Sequence, residues 1–212
     1  MTKEKQNVLI AGANGTTGRI IIELLRESDV YRPIAMLRKQ TQKEHFEQKN
    51  VAVEIADLES DLSHVVKNVA SVIFAAGSKG TDVINVDQEG AKRLIDAAKK
   101  ANVGKFIMLS SMGVENPSEG DDLEDYFRAK QNADNYLKSS GLNYSILRPG
   151  ALTDKDGTGK VQLKRKIDIN GSITRADVAK TLVTMLAHDV MKNQTLEILA
   201  GEVPIETAVS QE

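Results

Sequence analysis

The apolar run Val8-Leu9-Ile10-Ala11 passes directly into Gly12-Ala13-Asn14-Gly15-Thr16-Thr17-Gly18, and a segment of helical period, 19–26, follows at once. A strand that must turn through three glycines into a helix has few ways to fold. In a βαβ unit the first glycine makes the tight turn, the second lets the backbone approach a pyrophosphate, and the third lets helix and strand pack closely. Free amides at the helix start then receive the anion. The spacing alone is common; its position between the first strand and the first helix makes it a dinucleotide-phosphate signal. Gly12, Asn14, Gly15, Thr16, Thr17 and Gly18 are therefore candidate phosphate-binding residues, with Arg19 just beyond them.

The same alternation runs along the chain. Apolar or β-branched runs at 8–10, 34–37, 51–55, 71–74, 106–109, 144–147 and 196–199 predict strands, and helical periods occupy 20–25, 83–98, 126–137 and 175–187. Repeated βα units predict a doubly wound, Rossmann-like α/β fold with a parallel sheet. Strands that are apolar at nearly every position expect helices on both faces. In 83–98 the stripe Val83, Val86, Gly90, Ala91, Leu94, Ile95 and Ala98 predicts an α-helix, with Thr81 as its cap. Segments 115–122 and 153–159 break the rhythm after strands, where open α/β sheets hold ligands, although solvated loops would read the same.

Composition removes several alternatives. A chain of 212 residues forms one domain and buries about 70% of its unfolded surface without staples. It has no Cys, so disulfides, Cys-ligated zinc and thiol nucleophiles are excluded. With 28 basic and 30 acidic residues, 4% aromatics and no Trp, no nucleic-acid partner and no membrane surface is expected. No apolar stretch approaches the length of a membrane span and no leader is evident, so a cytoplasmic location is expected. His45, His64 and His188 fall in separate predicted helices without ligand spacing, so no metal site is expected. Lys160, Lys164, Arg165 and Lys166 read as a solvated basic face. Gly-x-Ser-x-Gly is absent, which removes an α/β-hydrolase.

The end of the second strand bears on the cofactor. NAD-selective sites place a carboxylate there for the ribose 2′-hydroxyl. Here the stretch is Ile34-Ala35-Met36-Leu37-Arg38-Lys39, with no acid. Arg38 and Lys39, with Arg19, could surround a 2′-phosphate, each charge-assisted contact contributing roughly 1.5–3 kcal/mol. NADP(H) is the expected cofactor. A strand end merely solvated by two cations is the alternative.

Further motifs carry a resemblance. Gly-x-x-Gly-x-x-Gly, Ala56-Asp57-Leu58, Ala75-Ala76-Gly77, Leu109-Ser110-Ser111, Arg148-Pro149-Gly150 and Gly171-Ser172-Ile173-Thr174-Arg175-Ala176-Asp177-Val178-Ala179 each follow or open a predicted element. Together they resemble the atypical short-chain dehydrogenase/reductase superfamily, in its NmrA-like and NAD-dependent epimerase/dehydratase-like group. The resemblance implies that Asp57, with Leu58, approaches the adenine, that Ala75, Ala76 and Gly77 line the inner ribose, and that Pro149 and Gly150 belong to the cofactor site. Tyr126-Phe127-Arg128-Ala129-Lys130 contains Tyr-x-x-x-Lys behind Ser111, and the i, i+4 spacing puts phenol and ammonium on one helix face.

By the same resemblance Tyr126 is the general acid/base and Ser111 binds the substrate oxygen. Lys130 lowers the phenol's pKa and contacts the nicotinamide ribose, and Asp87 positions a water or backbone group in the proton path. The implied reaction is hydride transfer at a carbonyl carbon with proton transfer at its oxygen. A phenol of pKa near 10 needs about 4 kcal/mol to reach neutrality, and an ammonium some 5 Å away supplies about 3.

The gap from Ser111 to Tyr126 is short for that pattern, and five carboxylates stand between Glu119 and Asp125. Three functions stay open: an NADPH-dependent oxidoreductase acting on a small molecule, an NADP(H)-sensing regulator of NmrA-like type, and a sugar-nucleotide epimerase/dehydratase-like enzyme. Residues 1–150 are expected to form the cofactor core and 151–212 a small substrate lid, in a monomer or homodimer.

Overall fold

A computed structural model describes residues 4–78, 80–117, 123–187 and 189–211. The strands are β1 (Gln6–Ala11), β2 (Tyr31–Leu37), β3 (Ala52–Ile55), β4 (Ser71–Phe74), β5 (Lys105–Leu109), β6 (Tyr144–Pro149), β7 (Ala151–Thr153), β8 (Lys160–Lys164), β9 (Ser172–Thr174), β10 (Gln194–Ala200) and β11 (Val203–Pro204). The α-helices are α1 (Thr16–Arg26), α2 (Lys43–Glu47), α3 (Ala91–Lys100), α4 (Glu124–Ser139), α5 (Arg175–Thr184) and α6 (Ile205–Gln211), with a π-helix, Val83–Gly90, leading into α3.

Nine strands form one sheet in the order β11-β8-β10-β6-β5-β4-β1-β2-β3, and β7 pairs with β9 apart from it. Every neighbour from β3 through β10 is parallel, and only β8 and β11 add antiparallel pairings at the far edge. This is the expected Rossmann-like doubly wound sheet. Chain order reverses between β1 and β4, which opens a crevice at the carboxyl ends of those strands.

The two-residue strand period divides the core. Val8 and Ile10 of β1 pack with Ile21, Leu25, Val178 and Leu182 of α1 and α5 on one face. Leu9 and Ala11 pack with Leu94, Ala98 and Leu137 of α3 and α4 on the other. Both faces are covered, so the strands are apolar throughout. The exception in β5, buried Lys105, donates to the carbonyls of Ala187 (3.0 Å) and Val190 in the turn after α5. Burial pushes its pKa down to about 8, against the opposing charge of Asp189.

Several expectations are corrected. The first half of 83–98 winds as a π-helix, and its cap is Asp82, which accepts from the Asn85 amide at 3.3 Å. Thr81 instead donates to the Ser78 carbonyl at 2.7 Å. A 3.6-residue period turns Val86 inward, yet the buried residues of this segment are Asp87 and Gly90. Short π-helical segments are found most often at functional sites. His64 lies in a turn rather than a helix, and His188 falls outside the described residues. Segment 115–122 is described only through Pro117. Of residues 151–212, β8, β10 and β11 join the nine-stranded sheet.

Candidate functional site

The switch-point crevice holds a cleft of about 440 Å³. Gly12, Asn14 and Gly15 line it after β1, Arg38 after β2, Asp57 and Leu58 after β3, and Ala75, Ala76 and Gly77 after β4. The three glycines of the turn differ in kind. Gly12 has φ +88°, and a Cβ added there would stand 2.5 Å from the Ala76 amide nitrogen. A Cβ on Gly18 would strike the Gly12 carbonyl, whereas one on Gly15 would meet only that carbonyl, at 3.2 Å. Gly12 and Gly18 therefore serve close packing, and Gly15 leaves the backbone open to a ligand. Gly15 is also the N-cap of α1; no side chain caps the helix and no acid stands in its first turn. Uncapped amides and bare backbone fit a pyrophosphate. Gly12→Ala should lower stability by about 2–3 kcal/mol, through strained φ and overpacking, and weaken nucleotide binding; thermal unfolding and a nucleotide titration check both.

Not every predicted residue of the turn reaches the cleft. Thr17 and Gly18 are buried within α1, and Thr16 is exposed. Arg19 folds back on Asn14, with Nη2 2.7 Å from Oδ1 and Nε donating to its carbonyl at 3.2 Å. Thr16, Thr17, Gly18, Arg19 and Lys39 are absent from the lining, while Gln42 and Ser78 join it.

A second cleft, about 660 Å³, opens at the carboxyl ends of β5 and β6. It brings Ser111, Tyr126, Pro149 and Gly150 together. Ser111 Oγ donates to the Met112 carbonyl at 3.0 Å. A Cβ on Gly150 would stand 2.5 Å from the Gly171 carbonyl, so this glycine lets the segment before β9 close the cleft's wall. Asp87 and Lys130 line neither cleft. Both are buried, with Lys130 Nζ 3.2 Å from Asp87 Oδ1 outside hydrogen-bonding geometry, and 5.8 Å from the Tyr126 ring centroid. Asp87 Oδ2 accepts from the Ser78 amide at 2.9 Å. One carboxylate thus ties the loop after β4, in the first cleft, to the helix that carries Tyr126 in the second.

A charge network beneath the second cleft was not foreseen. Buried Arg148 of β6 holds buried Asp134 of α4 at 3.0 Å, and Ser110 Oγ donates to the same carboxylate oxygen at 3.0 Å. Burial pushes the Asp134 carboxyl above its ordinary value, with Arg148 opposing. Arg148 also pairs with Glu115 at 2.7 Å, and Glu115 with Lys166 at 3.0 Å. The Lys166 hydrogen bond, ahead of Arg148's, holds the Glu115 carboxyl below its usual range despite partial burial. Lys166 reaches buried Glu197 of β10 at 3.5 Å, and Glu197 accepts the Ile167 amide at 2.6 Å.

The family described as NAD(P)H-binding matches residues 12–189. The chain belongs to this NAD(P)H-binding family. A Bacillus subtilis protein described as an uncharacterized sugar epimerase is 34% identical over 96% of this chain and 99% of its own length. A solved structure from Bacillus halodurans, provisionally described as an NAD-dependent epimerase/dehydratase, is 36% identical, with TM-score 0.92 over 98% of this chain and all of that one. An oxidoreductase of Lactococcus lactis is 29% identical, with TM-score 0.87 over 97% and 96% of the two chains. The expected resemblance to the atypical short-chain dehydrogenase/reductase group is borne out.

Within this NAD(P)H-binding chain the missed residues left one readable trace. Glu197 interrupts the apolar run Leu196-Glu197-Ile198-Leu199. A charge in a strand covered on both faces requires a buried partner, although the sequence does not say which. Asp177, in the Thr-Arg-x-Asp-Val-Ala segment, is a staple: its amide donates to the Thr174 cap, and its carboxylate accepts the amides of Thr158 and Gly159 at 3.0 and 2.8 Å. Among the described residues no helix is long and apolar enough to cross a membrane and no acidic or histidine cluster could hold a metal.

Proposed function

We propose that the chain is an NADP(H)-dependent oxidoreductase acting on a small molecule, with Tyr126 as its proton donor. The observation that carries this reading is the Ser78–Asp87–Lys130 link, which couples the nucleotide cleft to the cleft holding Ser111 and Tyr126. The backbone at Gly12, Gly15 and Ala75 to Gly77 would hold the dinucleotide, and the α1 amides its pyrophosphate. NADPH bound there supplies a hydride. Tyr126 Oη is then the group able to protonate a substrate oxygen in the second cleft, and Ser111 Oγ, by leaving the Met112 carbonyl, can donate to the same oxygen. Asp87 fixes the Ser78 amide, and the Lys130 ammonium, held by Asp87, keeps its place behind the Tyr126 ring.

The test is NADPH oxidation with a panel of carbonyl, quinone and flavin acceptors. Turnover with at least one is expected, and none with any acceptor would overturn the reading. Arg38 lines the nucleotide cleft and no carboxylate does so from β2, which supports NADP(H) over NAD(H). NADPH should bind at least about tenfold tighter than NADH, and Arg38→Ser should remove most of that margin in a fluorescence titration.

One observation favours a second reading, an NADP(H)-responsive regulatory protein. Asp87 matches the charge of Lys130 at 3.2 Å, so the ammonium acts on the Tyr126 phenol as half of an ion pair rather than as a bare cation. A partner protein retained by only one redox form of NADP, together with failure of every acceptor, would select this reading.

A further inference from the structure

The walls of the second cleft combine two features that a shared substrate must satisfy. Leu123 and Ile169 are 52% and 60% exposed, large apolar side chains left in solvent, and both line this cleft together with Met112 and Phe127. Apolar side chains gathered on a concave surface mark a place that an apolar body covers. The charged lining is one-sided: Glu115, Asp168 and Glu197 stand against Lys166 alone. That ammonium is already engaged, 3.0 Å from Glu115 and 3.5 Å from Glu197. Two further cations lie behind the lining, and both are buried and paired: Arg148, 3% exposed, with Asp134 and Glu115, and Lys130 with Asp87. An anionic ligand would therefore enter a field of like charge and find no free cation among the described lining residues.

We propose that the second cleft selects an apolar substrate without negative charge, neutral or singly cationic, and discriminates against carboxylated and phosphorylated molecules. This rests on the reading of that cleft as the substrate site of an oxidoreductase, and it narrows that reading. A sugar nucleotide, whose diphosphate carries two negative charges, is disfavoured. Glu115, Asp168 and Lys166 reach solvent, so their electrostatic contribution is screened by salt while the apolar contribution is not.

Three probes with one ring system isolate the charge: 1-naphthylmethylammonium, 1-naphthylmethanol and 1-naphthoate, titrated by ligand-observed NMR with saturating NADPH present, and UDP-glucose beside them. The ammonium and the alcohol should bind at least about fivefold tighter than naphthoate at low salt, and the gap should narrow as salt approaches about 1 M. Exposed Asp168 has no part in the proposed chemistry, and Asp168→Lys should cut the ammonium-to-naphthoate ratio severalfold. Naphthoate or UDP-glucose binding as tightly as the ammonium would overturn the proposal. So would a ratio indifferent to Asp168→Lys, or no naphthalene probe bound at millimolar concentration. Binding needs no turnover, so failure of every acceptor in the oxidation panel sinks the oxidoreductase reading while leaving the charge ranking to be read on its own.

Discussion

Arg148→Ala is expected to destabilise the fold by about 3–5 kcal/mol, because it strands the buried Asp134 carboxylate. For a chain of this size that lowers Tm by roughly 6–20 °C. The guanidinium holds Asp134 at 3.0 Å, and what would remain is the Ser110 hydroxyl. The pH dependence has a definite sign. Burial raises the Asp134 carboxyl above 3.8 even with Arg148 present, and removing Arg148 raises it further. A carboxyl raised on folding favours the fold while protonated and loses that contribution as pH rises through its folded value. The deficit of Arg148→Ala should therefore shrink as pH falls from neutrality toward that range. Pairing Arg148→Met with Asp134→Leu should recover most of the loss, because neither charge is then buried. Thermal unfolding across pH distinguishes this from simple loss of packing, which would leave the deficit level.

Tyr126→Phe is expected to lower kcat by about 100-fold to 10,000-fold on any acceptor that needs a proton, the range of one general acid. The variant keeps the ring, hence its 5.6 Å packing with Phe127 and its place 5.8 Å from the Lys130 ammonium. Tm and NADPH affinity should therefore stay close to those of the parent. Unchanged turnover would remove Tyr126 as the proton donor and leave it a packing residue of α4. A flavin or quinone that takes its proton from water would show a smaller effect than a carbonyl, so the spread across acceptors reports where the phenol acts.

The parallel sheet was legible because its strands are continuous apolar runs separated by helical periods. The short strands β7, β9 and β11 were not, since two or three residues carry no period. The glycine turn was legible in type and order. That Arg19 turns onto Asn14, while Arg38 lines the cleft, is decided by side-chain partners the spacing does not encode. Similarly, the i, i+4 spacing of Tyr126 and Lys130 put them on one face of α4 but did not reveal that the ammonium is committed to Asp87.

The sequence by itself determined the Rossmann-like order and the glycine turn into α1, because both follow from local rules: period, glycine at a positive φ, and a helix start left uncapped. Only the tertiary structure decided the chemistry of the second cleft. Glu115, Arg148, Lys166 and Glu197 come from four separate segments, and their pairing depends on β6 and β10 lying side by side. Charges so far apart in sequence interact only once the sheet has closed the distance. The same closure that buries Arg148 and engages Lys166 leaves the cleft with more acids than bases and no free cation among its described lining residues.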